Sequence, residues 1–97
     1  MNEKAQSLVK YLEKSHWKQY LISAIFFNPD HTIYQKEIMR NKNAGTRFGF
    51  NKYIKELVQM GIISKNYHGH QVVLNITPEG LPICQIVHNY FAQMKAG

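Results

Sequence analysis

Residues 46 to 77 read TRFGFNKYIKELVQMGIISKNYHGHQVVLNIT, and their pattern decides the fold. Phe50, Ile54, Leu57 and Val58 recur at helical spacing, so one face of this segment is apolar and has to be buried. Arg47, Asn51, Lys52 and Lys55 fall on the other face. A helix is expected from Thr46, a good N-cap, to Met60. Gly61 stands where a left-handed residue ends such a helix, a conformation that glycine adopts without steric penalty. Ile62 to Tyr67 and Gln71 to Ile76 then read as two strands, joined by His68-Gly69-His70. Along the second strand Val72, Leu74 and Ile76 alternate toward a core, while Val73 and Asn75 face out. Arg, Lys and Asn are the side chains that reach phosphates and base edges in a major groove. A helix buried on one side and cationic on the other, set against a short hairpin, therefore implies a nucleic-acid-binding surface.

Outward from this stretch, Asn43-Ala44-Gly45 is a turn, and Gln35 to Asn41 is a short helix with Ile38 and Met39 inward. Thr32-Ile33-Tyr34 is a brief extended piece. Asn28-Pro29-Asp30 halts the helix before it, because proline disfavours helical backbone at the preceding residue. Residues 4 to 14 and 16 to 27 both carry apolar residues at helical spacing. They form either one bent helix or two short ones, with Ser15 as a cap between them. On the C-terminal side Thr77-Pro78-Glu79 opens another helix, and Pro82 places its regular part near Leu81 onward.

The 97 residues are enough for one domain with a small core. The net charge is +6 at pH 7, and it is concentrated. Between residues 36 and 65 lie seven basic residues against Glu37 and Glu56, which leaves +5 in the middle third. A localised excess points to a polyanionic partner. The single cysteine, Cys84, allows no disulfide within one chain, and a reducing cytoplasm is expected. The charged N-terminus is unlike a signal peptide, and the longest apolar run, Leu21 to Phe27, is too short to cross a membrane.

Three runs carry a resemblance. Lys36-Glu37-Ile38 opens the short helix, Glu56-Leu57-Val58-Gln59-Met60-Gly61-Ile62-Ile63 joins the basic helix to the hairpin, and Leu74-Asn75-Ile76-Thr77-Pro78-Glu79-Gly80 leaves it. Together, over residues 17 to 80, the chain resembles the winged helix-turn-helix regulators of the MarR, ArsR and PadR kind. The resemblance implies an α+β, mostly helical fold, a winged helix-turn-helix with extra N-terminal and C-terminal helices. Residues 1 to 15 and 81 to 97 would then flank a core of residues 17 to 80 and serve dimerisation. It also implies that the basic helix enters the major groove and that the hairpin contacts flanking DNA.

On this reading the candidate DNA-binding residues are Lys36, Arg40, Lys42, Thr46, Arg47, Asn51, Lys52, Lys55, Lys65, His68 and His70. Arg47 and Asn51 are placed to read bases, and Lys36, Lys52 and Lys55 to meet phosphate. Phe48 either packs under the turn or contacts a thymine methyl. The candidate dimer interface is Leu8, Leu12, Cys84, Val87, His88, Phe91 and Met94, because 84/91 and 87/94 are heptad-spaced. Ile83, Ile86 and Tyr90 make a second apolar face on the same helix. Cys84 and His88 also stand four residues apart on one helix face, and ArsR-like proteins hold metals on terminal helices. The apolar seam is the reading adopted, and His68-Gly69-His70 lacks further ligands, so no metal is expected. Neither a catalytic triad, a paired carboxylate nor a glycine-rich phosphate loop stands out, so neither enzymatic activity nor a cofactor is expected. The expected function is that of a dimeric, DNA-binding transcriptional regulator, with double-stranded DNA as partner and no membrane. The alternatives are a winged-helix protein–protein module and a nonspecific nucleic-acid binder.

Overall fold

A computed structural model describes residues 2–40 and 47–96, the side chains of Arg47, Phe48 and Ala96 excepted. The expected turn at Asn43-Ala44-Gly45 and the Thr46 cap lie outside the described residues. The described chain runs through α1 (Glu3–Glu13), α2 (His16–Phe26), β1 (Thr32–Tyr34), α3 (Gln35–Met39), α4 (Arg47–Gln59), β2 (Ile63–His68), β3 (Gln71–Ile76) and α5 (Gly80–Ala96). It is mostly helical with one small antiparallel sheet, an α+β architecture. No helix among the described residues is long and apolar enough to cross a membrane.

The N-terminal region forms two helices, each begun by a side-chain cap. Asn2 Oδ1 accepts from the Ala5 amide at 2.7 Å, and Ser15 Oγ accepts from the Trp17 amide at 3.2 Å. After α2 the chain reverses through Pro29–His31, where Asp30 and His31 both take left-handed backbone, with φ of 58° and 53°. Such residues need local anchors. The His31 amide and Nδ1 both donate, to Asn28 O at 2.9 Å and Phe26 O at 2.6 Å, and the Asn28 side-chain amide donates to Thr32 O. The α3 helix ends at Met39, with Arg40 as its C-cap, and Asn41, the expected end, lies outside the described residues.

The sheet order is β1-β3-β2. Thr32 pairs with Asn75 and Tyr34 with Val73; Ile63 pairs with Ile76 and His68 with Gln71. The hairpin loop is therefore only Gly69-His70, with Gly69 at φ 63°, and His68 belongs to the strand. The expected alternation along β3 holds for direction but not for exposure. Val73 lies on the outer face and is nonetheless buried, because β3 is the central strand and Val73 is flanked by its partners Tyr34 and Asn66.

The α4–β2 junction shows how the sequence fixes the packing. Gly61 takes φ 77°, its amide donates to Val58 O at 3.0 Å, and the Ile62 amide donates to Leu57 O at 3.1 Å. This paired closure satisfies two carbonyls at the helix end, and the flanking Leu57 and Ile62 are both buried. Thr77 ties the next element to the same point. Its hydroxyl donates to Gly61 O at 2.7 Å and accepts from the Gly80 amide at 2.8 Å, while its own amide donates to Ile62 O at 3.0 Å. So Thr77 caps α5, as expected, and also fixes α5 to the end of α4.

One apolar cluster fills the interior and draws on every helix. Ala5, Leu8 and Leu12 of α1 and Ile83, Cys84 and Val87 of α5 belong to it as fully as Ile54 and Leu57 of α4. The terminal helices are thus part of the domain's own core.

Candidate nucleic-acid interface

The α4 helix divides into three sectors. Phe50, Ile54 and Leu57 are buried, and Asn51, Lys52 and Lys55 are exposed on the opposite side. Val58 was expected among the buried residues but is 39% exposed. Each helical residue turns by ~100°, which puts Val58 at the margin of the face that Leu57 centres. The third sector, Tyr53 and Glu56, turns toward α1 and α2. Tyr11 Oη donates to Glu56 Oε1 at 3.0 Å, and Lys18 Nζ lies 4.0 Å from the Tyr11 ring centre and 5.1 Å from that of Tyr53. Burial and then the bond to Glu56 hold the Tyr11 phenol well above the usual tyrosine range. This side of α4 is thereby locked against the N-terminal helices, which leaves the cationic side outward.

The α3 helix reaches the outward side. Gln35 Nε2 donates to Asn51 Oδ1 at 3.4 Å and lies 3.6 Å from Met39 Sδ, so the Asn51 amide is steadied from the neighbouring helix. Lys36 and Arg40 are exposed on α3, with Lys36 Nζ 5.8 Å from the Tyr34 ring centre. Lys42 and Thr46 lie outside the described residues. Arg47 occupies the first turn of α4, and its side chain, like that of Phe48, lies outside them too.

The hairpin carries Lys65, His68 and His70, all exposed. Ile63 is buried, Ser64 is half-buried and Lys65 to His68 are exposed, as the strand leaves the core. Five residues of strand span ~17 Å, so the tip stands well away from the end of α4. Tyr67 is 65% exposed and shares a face with Lys65, whose Nζ is 6.0 Å from its ring centre. Sequence reasoning missed Tyr67, although the alternation that places Lys65 on one face of β2 places Tyr67 there as well. The other face of the hairpin is neutral and self-satisfied: Asn75 Nδ2 donates to Ser64 Oγ at 2.8 Å and Asn66 Nδ2 to Asn75 Oδ1 at 3.1 Å. Among the described residues no three His, Cys, Asp or Glu side chains come together as a metal site.

The residues expected at a dimer interface separate into two groups. Leu8, Leu12, Cys84 and Val87 are at most 4% exposed and are spent on the chain's own core. Heptad spacing showed that they are covered but not by what, and α1 packs on α5 within one chain to cover them. Burial pushes the Cys84 thiol up to about 11, as for an inert core cysteine. His88 and Met94 are exposed and Phe91 is half-buried, so these three remain available at the surface. His88 stands against the rings of Phe27 and Phe26, at 5.0 and 5.7 Å between centres.

A comparison with protein-family models finds none that matches this chain, and a search of curated proteins finds no significant match.

Proposed function

We propose that this chain is a winged helix-turn-helix DNA-binding transcriptional regulator of the cytoplasm, acting as a homodimer. The observation that carries this reading is the outer side of α4. Asn51, Lys52 and Lys55 are exposed to solvent while Phe50, Ile54 and Leu57 anchor the same helix from behind. In the proposed complex α3 and α4 form the helix-turn-helix, and α4 lies in the major groove. Asn51 pairs with adenine: its Nδ2 donates to N7, and Oδ1, which has a second lone pair beyond the one used by Gln35, accepts from N6. Arg47, in the first turn, reads a neighbouring base. Lys36, Arg40, Lys42, Lys52 and Lys55 neutralise phosphates on either side, and the wing formed by β2 and β3 brings Lys65, His68 and His70 to the flanking backbone.

The dimer is proposed through the C-terminal end of α5, where Met94 is 58% exposed beside half-buried Tyr90 and Phe91. Two-fold pairing there covers an apolar surface that a monomer would leave in water. It also sets two reading helices about one duplex turn apart, ~34 Å, which matches a palindromic site.

The test is binding to duplex DNA across a salt series. Displacement of condensed counterions predicts an affinity that falls steeply and log-linearly with salt. A selection from random duplexes is then expected to return a palindrome. No binding at low salt would refute the proposal and favour a protein-binding module on the same scaffold.

A further inference from the structure

Asn51 is exposed on the outward side of α4. Its amide has two ends of opposite kind, since Oδ1 only accepts and Nδ2 only donates. Water satisfies both ends in either orientation, so an asparagine met by water alone turns over readily and has no fixed polarity toward a base.

The neighbouring helix removes that freedom. Gln35, the half-buried first residue of α3, stands 16 positions away, and its Nε2 donates to Asn51 Oδ1 at 3.4 Å. The same Nε2 donates to Met39 Sδ at 3.6 Å. A thioether sulfur accepts weakly and has no hydrogen to give, so it fixes the polarity of the Gln35 amide. Turning that amide over would set Oε1 against sulfur and against Asn51 Oδ1. Gln35 Oε1 is buried and has no partner among the described residues, so nothing described there holds the amide the other way round. Polarity thus passes from one residue to the next. Met39 Sδ faces Gln35 Nε2, Gln35 Nε2 faces Asn51 Oδ1, and Asn51 Nδ2 is kept for a partner outside the fold.

We propose that Gln35 is a positioning residue for base choice: by pinning the Asn51 amide it selects adenine over guanine at one position of the DNA site. This rests on the reading of α4 as the major-groove helix. Adenine offers N7 as acceptor and N6 as donor, which match Asn51 Nδ2 and the second lone pair of Oδ1. Guanine offers two acceptors, N7 and O6, so Oδ1 meets O6 lone pair to lone pair. An unpinned amide escapes this by swinging Oδ1 into water and giving both Nδ2 hydrogens to guanine. The pinned amide has first to break its bond to Gln35, and the net worth of one neutral hydrogen bond makes that about a fivefold penalty. Lys52 and Lys55 supply no such discrimination, because an ammonium group donates to any acceptor it reaches.

The experiment is quantitative gel shift of the full-length protein on the duplex recovered by selection. The base pair that Asn51→Ala ceases to discriminate is made A or G, and the ratio of the two affinities is the readout. Gln35→Ala is expected to lower the A-over-G ratio about fivefold. Gln35→Met, of similar length and without an amide, should do the same and serves if Gln35→Ala does not fold. Gln35→Glu should reverse the ratio. A carboxylate only accepts, so Asn51 turns Nδ2 toward it; adenine then meets like against like at both atoms, while guanine O6 gains a donor. The added negative charge weakens both duplexes alike and cancels in the ratio. A merely structural role for Gln35 would weaken both duplexes and leave the ratio unchanged, and that result in a folded variant overturns the proposal. So does a Gln35→Glu protein that still prefers adenine, or an Asn51→Ala protein that loses discrimination nowhere. If the wild type binds no duplex at low salt, the reading of α4 falls and this proposal with it; binding with an unchanged ratio removes this proposal alone.

Discussion

Gly80→Ala tests the packing that sets α5 on the rest of the domain. In an ordinary helix this substitution stabilises, by ~0.5–1 kcal/mol, because alanine has less backbone freedom to lose. Here a Cβ on Gly80 would press into the Ile62 carbonyl oxygen, and would stand only 2.9 Å from Ile62 Cα and 2.9 Å from Thr77 Oγ1. Two of the three atoms are main chain, and Ile62 cannot retreat easily. Its amide is bonded to Leu57 O and its carbonyl accepts from the Thr77 amide. Relief therefore means lifting α5 away, which strains a packed junction at ~1–3 kcal/mol and loosens bonds worth ~1 kcal/mol each. Set against the propensity gain, the expected net loss is ~1–3 kcal/mol. For a domain of this size that lowers the melting temperature by roughly 5–20 °C. The assay is urea and thermal unfolding followed by circular dichroism, with Gly61→Ala as the companion. At Gly61 a Cβ meets nothing within 4 Å, so its cost comes from the φ of 77° alone, ~1–2 kcal/mol. A Gly80→Ala protein that melts at or above the wild-type temperature would refute the close approach and the α5 placement built on it.

Lys55→Ala should weaken every duplex about equally and reduce the salt slope by about one, whereas Asn51→Ala should cost ~1–3 kcal/mol on the preferred site and relax one base position; quantitative gel-shift on site variants separates the two. Arg47→Ala should behave like Asn51→Ala, and similar behaviour of Arg47→Ala and Lys55→Ala would contradict the assigned roles. Tyr11→Phe should lower stability by ~1 kcal/mol near neutrality, through the lost bond to Glu56. Because the folded phenol is held above its unfolded value, that contribution is complete below about pH 10 and declines as pH rises further, so the gap between wild type and Tyr11→Phe in urea unfolding should narrow from pH 10 to 11. Met94→Asp should yield monomers in sedimentation and lower affinity for a palindromic duplex together; a wild-type protein already monomeric at micromolar concentration would remove the dimer.

Punctuation was the most legible part of the sequence. Ser15, Gly61 and Thr77 each act through a local rule, a hydroxyl capping free amides or a glycine taking left-handed backbone, and each does so in the structure. The basic helix was equally readable, because thirteen residues repeat its period several times. Short elements were less so. Three residues at Thr32–Tyr34 cannot show a period, and nothing local marks them as the third strand that flanks Val73. Gly80 lies in between: its place after Thr77-Pro78-Glu79 was conspicuous, but its reason, the Ile62 backbone, is a contact across 18 positions of sequence.

The candidate site divides along the same line. Exposure of Asn51, Lys52 and Lys55 follows from the burial of their helix's other side, and one helical period is enough to infer it. The reading of α5 required more than a period can supply. Spacing identified Cys84, Val87 and Phe91 as residues that must be covered, and the covering surface could have come from this chain or from another. Two short helices at the N-terminus decide the matter. With a break at Ser15, α1 folds back along α5 and supplies Leu8 and Leu12 to the stripe, leaving a hollow rather than a flush seam beside Phe26, Phe91 and His88. A single bent helix over the same residues would have carried α1 elsewhere and left Cys84 and Val87 for a partner. The Ser15 cap, a bond of 3.2 Å to the Trp17 amide, thus marks the break that lets α1 cover the Cys84–Val87 face of α5 from within the chain.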